Sequence, residues 1–257
     1  MKLWKKPQSN SPDQQVSEAP YVDLSPYLSE HLQQRRSRIR RFFTRPSMKL
    51  LLNTHVEGKD NVEGIEGAYI LIPNHQSHLD APMIFSLLPD FLNERLATGA
   101  AADYFFRKKT IAKLTSLFFN TYPIERKGRP RPANQPNAAG MTGRLLKEGV
   151  PILVFPEGTR SRTGEIGDYK PGAAALAQKN NVPLIPIAMV GGHDAMPVGS
   201  IFPKLRSRVY LYIGKPMYSH EGETANAFMD RTFDAIKAMI RESSAYPAKA
   251  DGTSYFN

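Results

Sequence analysis

Apolar residues in this chain fall into short runs separated by stretches of helical period. Ala68–Ile72, Leu96–Ala101, Asn120–Ile124, Pro151–Phe155, Pro183–Val190 and Val209–Ile213 are five to eight residues long. Runs of that length, punctuated by Pro, Gly or Asn, are how strands buried on both faces read. Ala81–Leu88, Phe105–Phe119, Ala138–Lys147, Ala173–Lys179 and Ala225–Glu242 read as helices instead. Gly149 ends the third of these, and Lys108, Lys109 and Lys113 mark the polar side of the second. Gly128–Pro136, with three prolines, reads as a loop. Strand and helix signals alternate, which predicts an α/β fold: a single domain with a mostly parallel, mixed central sheet flanked by helices. In such sheets, sites gather on the loops that leave strand ends.

The N-terminal part follows a different rule. Residues 1–26 are rich in Pro, Ser, Gln and Asn and read as a flexible polar tail. From His31 to His55 there is no acidic residue, while Arg35, Arg36, Arg38, Arg40, Arg41, Arg45 and Lys49 crowd together. Leu32, Ile39 and Phe43, at spacings of seven and four, fit one face of a helix. Pro46 is expected to break or restart that helix, and Met48, Leu50, Leu51 and Leu52 form a second apolar patch. A basic amphipathic helical segment of this kind suits the surface of an anionic membrane. Arg38 and Arg41 would then face headgroups, and Phe42, Phe43 and Leu51, with its neighbours Leu50 and Leu52, would enter the acyl region. The alternative is a helix packed on the core with a solvated basic face.

Composition narrows the choice of chemistry. The 257 residues carry a net charge of +10 and no cysteine. The charge implies anionic partners, and the missing cysteines exclude disulfides, thiolate nucleophiles and Cys-ligated metals. Met1–Pro7 has no apolar core behind its lysines and is not read as a secretory signal. No stretch approaches the roughly 20 apolar residues of a spanning helix, so the chain is expected to be soluble or to lie on a membrane.

Two strings carry candidate chemistry. In Asn74-His75-Gln76-Ser77-His78-Leu79-Asp80, a base and a carboxylate stand five residues apart. His is the side chain suited to taking a proton near neutral pH, and Asp80 could fix its tautomer and steady the imidazolium. In a regular helix positions five apart diverge, so the pair requires a turn, with Ser77 or Asp80 capping the helix that follows and Pro82 in its first turn. The plainer reading makes both histidines loop residues and Asp80 only a cap. A zinc site on His75, His78 and Asp80 has the wrong spacing and no recognisable further ligand, so no metal is expected.

The second string, Phe155-Pro156-Glu157-Gly158-Thr159-Arg160-Ser161, follows a strand signal. Glu157 can accept from hydroxyls, Gly158 lets backbone approach closely, and Arg160 can grip a phosphate with a planar fork of donors. Arg126, Lys127, Arg129, Arg131 and Lys170 could complete an anion-binding wall. By itself the string could also be a surface turn with a weak Glu–Arg pair.

Taken together, the strings resemble the glycerophospholipid acyltransferase family, which includes the 1-acylglycerol-3-phosphate acyltransferases. Asn74, His75 and Asp80 match its Asn-His-x-x-x-x-Asp block, and Phe155–Ser161 match Phe-Pro-Glu-Gly-Thr-Arg-Ser at every position. Ile124-Glu125-Arg126 matches the end of a second block, although Asn120-Thr121-Tyr122-Pro123 stand where relatives usually carry Gly and Phe. Val182–Pro186 and Ile213–Pro216 resemble the closing blocks. Many relatives also carry hydrophobic N-terminal membrane helices, where this chain is basic and polar.

The resemblance implies residues 27–54 as the basic amphipathic segment, 55–242 as the acyltransferase domain and 243–257 as a polar tail. It implies His75 as general base oriented by Asp80, with the acceptor held by Asn74, Ser77, Arg126, Glu157, Gly158, Thr159 and Arg160. The co-substrate would be acyl-CoA or acyl-carrier protein, with no bound cofactor. The acceptor would be a lysophospholipid or glycerol phosphate, most simply 1-acylglycerol 3-phosphate. The expected location is cytoplasmic, peripheral on the cytoplasmic face of a membrane. A hydrolase could use the same His–Asp pair on water. A nucleic-acid-binding role would explain the charge but neither string, and no nucleic-acid partner is expected.

Overall fold

Tyr69 and Leu71 pack on one side of a buried strand while Ile70 and Ile72 pack on the other. This period-2 split organises the molecule. The computed structural model describes residues 23–101, 116–124 and 140–243. Its strands are β1 (Leu52–Glu57), β2 (Ile70–Pro73), β3 (Ala97–Ala101), β4 (Thr121–Ile124), β5 (Ile152–Leu153), β6 (Leu184–Val190) and β7 (Ser207–Ile213). They form one sheet in the order β1-β7-β6-β2-β5-β3-β4. All neighbours are parallel except β6 and β7. The expected single α/β domain with a mostly parallel, mixed sheet is therefore what the chain forms.

Helices α1 (Ser25–Leu28), α2 (Glu30–Ile39), α3 (Arg45–Leu51), α4 (Asp80–Leu87) and α5 (Asp90–Asn93) come from the first half. The second half adds α6 (Met141–Lys147), α7 (Gly172–Asn180), α8 (Gly192–Ala195) and α9 (Ala225–Glu242). One apolar layer joins Ile70, Ile72, Leu184 and Ala188 to Leu145 of α6, Ala174 of α7 and Phe228, Ile236 and Ile240 of α9. The other joins Leu71, Ile185, Ile187 and Leu211 to Met83 and Ile84 of α4. The Thr224 side chain accepts from the Ala227 N–H and caps α9, which buries Phe228, Met229, Thr232, Ile236 and Ile240 at spacings of one to four.

Strand β1 was not predicted. Leu-Asn-Thr-His-Val-Glu buries only its first residue fully, because β1 is an edge strand with one partner, β7. The boundary expected between residues 54 and 55 falls inside it. β5 is shorter than Pro151–Phe155: Val154 N–H still donates to Leu71 O at 3.0 Å, and then the chain leaves the sheet.

The N-terminal segment is helical, but the expected face is not the packed one. Gln33, Arg36 and Arg40 are buried, whereas Leu32 and Ile39 are half-buried and Phe43 is exposed. Hydrogen bonds explain the inversion for Gln33 and Arg36, whereas the Arg40 guanidinium is buried with no hydrogen-bond partner among the described residues. Arg36 donates through Nε to Ser116 O at 3.2 Å and through Nη2 to Pro26 O at 3.1 Å, and Gln33 Nε2 donates to Tyr27 O at 3.3 Å. Burying polar groups is tolerable when they are paired in this way. α1 begins inside the expected tail, where Leu24 and Tyr27 join the core and Tyr27 Oη donates to Thr121 O at 3.1 Å.

Pro46 stands in the first turn of α3, so the α-helix restarts there as expected, without a break in the helical run. It lacks an N–H and crowds the carbonyl four residues back, so the preceding turn widens into a π-helical turn, Arg40–Thr44, in which Arg45 N–H reaches Arg40 O. Arg38, Arg41, Phe42 and Phe43 all face outward. Leu51 does not: it packs against the core, and Leu52 is buried in β1, so of that apolar patch it is Leu50 that points away. Of the predicted helix Phe105–Phe119, only residues 116–119 are described, and they are helical. The loop Gly128–Pro136 and Arg126 lie outside the described residues.

Candidate active site

β2 and β5 are parallel neighbours, with Ile70 opposite Ile152. Their C-terminal ends therefore lie side by side, and the two strings leave the same sheet edge as adjacent loops. This brings together residues more than 80 positions apart.

The first loop is fixed before it reaches its base. Asn74 is fully buried; its Nδ2 donates to Met189 O at 2.9 Å, and its Oδ1 accepts from Met189 N at 2.7 Å. The side chain thus adds a rung to the β2–β6 ladder after the backbone has turned away. Ser77 is also fully buried, donating through Oγ to Met196 O at 3.0 Å and accepting from Leu79 N at 3.1 Å. Both side chains are closed off and brace the turn.

Between them stands the His–Asp pair. His75 Nδ1 lies 2.8 Å from Asp80 Oδ2, with 20% of the His75 side chain and 1% of the Asp80 side chain exposed. The same Asp80 oxygen accepts from the backbone N–H of Gln76 at 2.6 Å and of Ser77 at 2.8 Å. The turn required by the five-residue spacing is thus tied by the very carboxylate it presents. With Nδ1 donating to Asp80, Nε2 is the nitrogen left to act as base. The Phe155 ring stacks on the imidazole, centroids 4.0 Å apart and planes 26° from parallel.

The second loop grips the first. His75 O accepts from Ser161 N at 2.9 Å. His75 N donates to Glu157 Oε1 at 2.6 Å, and Gly167 N donates to Glu157 Oε2 at 3.1 Å. Glu157 is buried, and that burial pushes its carboxyl up to about 7 despite the two donors. Its carboxylate holds the His75 backbone. Arg160 Nη1 hydrogen-bonds His78 Nε2. Desolvation, and after it the Arg160 charge, holds His78 below the usual histidine range, so a neutral ring accepts this bond. Gly158 has φ +74°, a conformation that favours glycine, and a Cβ there would lie 2.8 Å from Lys170 Nζ, the movable end of that side chain. Gly158 and Thr159 are exposed on the turn.

Several participants were not singled out from the sequence. Gln76 is buried and donates through Nε2 to Gly164 O at 2.7 Å, clamping the loops together. Gly192 backs onto the carboxylate, where a Cβ would stand 3.1 Å from Asp80 Oδ1. The available signals were the position of Gln76 inside the first string and the Gly191-Gly192 pair after β6. Among the described residues, no three His, Asp or Glu side chains converge as a metal site. The arrangement can remove a proton from a hydroxyl or water at an imidazole held by a buried carboxylate, with Arg160 and Lys170 on the neighbouring loop to receive an anion.

Residues 53–190 match the family model described as Acyltransferase. A chloroplastic 1-acyl-sn-glycerol-3-phosphate acyltransferase of Brassica napus is 28% identical over 176 residues, covering 66% of this chain and 46% of that protein. A 1-acyl-sn-glycerol-3-phosphate acyltransferase of Saccharomyces cerevisiae is 29% identical over 206 residues, covering 74% of this chain and 62% of that one. The chain spans about half the length of the chloroplastic relatives it matches. The crystal structure of the 1-acyl-sn-glycerophosphate acyltransferase PlsC from Thermotoga maritima superposes with a TM-score of 0.65 at 23% identity, covering 87% of this chain and 88% of that one. The fold is therefore shared.

Proposed function

The chain belongs to the acyltransferase family, and from that premise we propose that it moves a fatty acyl group from an acyl thioester to the hydroxyl of 1-acylglycerol 3-phosphate. The observation that carries this reading is the 2.8 Å bond from His75 Nδ1 to buried Asp80, which leaves Nε2 as the base. His75 Nε2 takes the acceptor's hydroxyl proton as the oxygen attacks the thioester carbonyl. The tetrahedral intermediate collapses, the C–S bond breaks, and the imidazolium returns the proton to the departing thiolate. Asp80 holds the ring and offsets its transient positive charge. No acyl-enzyme forms, which suits a chain without cysteine.

Arg160, with Lys170 beside Gly158, takes the acceptor phosphate; Arg126, which the family resemblance assigns to the acceptor, lies outside the described residues. Thr159, exposed on the turn, and the backbone at Gly158 face the glycerol. The donor is acyl-CoA or acyl-carrier protein. The acceptor's own acyl chain places the work at a lipid surface. The outward Arg38, Arg41, Phe42 and Phe43 support a peripheral position on the cytoplasmic face of a membrane. Among the described residues, no helix is long and apolar enough to cross one.

The test is thiol release from acyl-CoA or acyl-carrier protein by purified protein, with glycerol 3-phosphate, lysophosphatidic acid, other lysophospholipids and diacylglycerol as acceptors. Release that requires lysophosphatidic acid supports the proposal, and release without any acceptor would make the protein a hydrolase. His75→Ala should abolish turnover with an unchanged melting profile. Asp80→Asn should lower kcat by about two to four orders of magnitude, because a neutral amide cannot steady the imidazolium.

A further inference from the structure

The ten residues that lead from Met196, just after α8, to the last strand carry the two most exposed large apolar side chains among the described residues. Ile201 is 82% exposed, Phe202 80% and Leu205 70%, while Leu50 on α3 is 73% exposed. An isolated exposed leucine means little, but several large apolar side chains at one place do. The loop Pro197–Arg206 is not slack. Lys204 N donates to Ala195 O at 2.7 Å, Ser207 Oγ to Lys204 O at 2.8 Å, and Ser200 N to Pro197 O at 3.0 Å. Arg206 holds a left-handed φ of 60°, and its N–H donates to Leu51 O at 2.6 Å. Both ends are pinned, and the apolar tip stands out between them, as in a compact Ω-shaped loop.

Arg206 and Leu51 also join two segments far apart in sequence. β1 runs parallel to β7 with Leu52 opposite Ser207, so the end of α3 and the end of this loop meet. No acidic residue occurs between His31 and His55, and none between Ala195 and His220. The second stretch carries Lys204, Arg206, Arg208 and Lys215, all exposed. The two acid-free segments thus adjoin at Leu51 and Arg206, with Phe43 and Leu50 seven residues apart on the helical run that ends there. A second copy docking symmetrically through these segments would meet like charge and be repelled. An anionic leaflet offers both the charge and the apolar interior that this surface lacks.

We propose that Pro197–Arg206 is a second lipid-inserting element: Ile201, Phe202 and Leu205 enter an anionic leaflet beside Leu50, with Lys49, Lys204 and Arg206 at headgroup level. The loop also ties the bilayer to the chemistry. Met196, whose carbonyl receives Ser77 Oγ, is five residues from Ile201, a chain length of at most about 18 Å. The His–Asp turn is therefore tethered close to the surface from which a lipid acceptor must be lifted. This deepens the membrane reading of the N-terminal helix and is separable from it.

Full-length protein is co-sedimented with phosphatidylcholine vesicles with and without phosphatidylglycerol. Ile201→Ser/Phe202→Ser should lose at least about tenfold in partitioning onto the anionic vesicles. It should keep its turnover of a short-chain lysophosphatidic acid dissolved below its micelle concentration. Trp4 is the single tryptophan, so Trp4→Phe/Phe202→Trp supplies a direct probe at the tip. Its emission should shift to the blue and be quenched by brominated acyl chains. Unquenched emission on bound vesicles overturns the proposal, even if the serine variant folds poorly. So does wild-type partitioning by the serine variant, or a change confined to its oligomeric state. If Phe42→Ser/Phe43→Ser loses binding while the loop variant does not, the N-terminal reading stands and this one falls.

Discussion

Glu157 makes an unusual demand on the second loop, and pH should expose it. Its carboxylate receives two backbone N–H groups, at 2.6 Å from His75 and 3.1 Å from Gly167, which favour the ionised form. Burial opposes them and prevails, lifting the group from 4.5 in an exposed chain to about 7. At about 1.4 kcal/mol per pH unit, that difference is on the order of 3 kcal/mol. The folded chain binds this proton more tightly than the unfolded chain does. The stability it contributes is thus fully present below about 4.5 and is lost as pH rises to about 7. Urea unfolding of wild type and Glu157→Gln, run in parallel from about pH 4 to about pH 9, isolates the group, since every other titration is common to both. The wild-type advantage over the variant should shrink by roughly 3 kcal/mol across the interval and then level off. Two parallel curves would show that Glu157 titrates as in the unfolded chain, and the burial argument would be wrong.

Two further outcomes follow from the same loops. Asn74→Ala strands the N–H and carbonyl of Met189 in a buried ladder, so it should cost about 2–4 kcal/mol in urea unfolding and lower activity only through lost folded protein; a stable but inactive variant would contradict this. Arg160→Ala should raise the acceptor KM at least about tenfold while leaving the donor KM within about twofold, because the guanidinium is offered to a phosphate; an unchanged acceptor KM would remove Arg160 from binding.

Short continuous apolar runs made most of the sheet legible, because strands covered on both faces carry few polar residues. β1 escaped for the opposite reason: an edge strand with one covered side reads as Asn, Thr, His and Glu between single apolar residues. The N-terminal helix misled more instructively. Periodicity assumes that the apolar side faces the protein, yet here Gln33, Arg36 and Arg40 turn inward. Hydrogen bonds to carbonyls of Tyr27, Pro26 and Ser116 hold Gln33 and Arg36 there, and none of those acceptors is visible in a list of side chains. Hydrophobic period identifies an apolar face, but it does not say which surface that face is for.

The same limit governed the site. The contact between His75 and Asp80 could be expected from their types and spacing, but the supports around it are backbone groups from three separate places: Met189 in β6, Gly164 after the second string, and Met196 after α8. Backbone donors and acceptors have no sequence signature, so the bracing bonds of Asn74, Ser77 and Glu157 could not be read from the chain. Asp80, read from the sequence as a possible helix cap, is not one: Leu79 stands at the N-cap of α4 and no side chain caps that helix. One oxygen, Oδ2, takes the N–H groups of Gln76 and Ser77 and the Nδ1 of His75 together. The carboxylate that ties the Gln76–Ser77 turn also receives the ring, so the turn that precedes α4 and the orientation of His75 are a single interaction. An isosteric amide could keep the two backbone bonds and hence the fold, which is why Asp80→Asn separates charge from shape where Asp80→Ala would remove both.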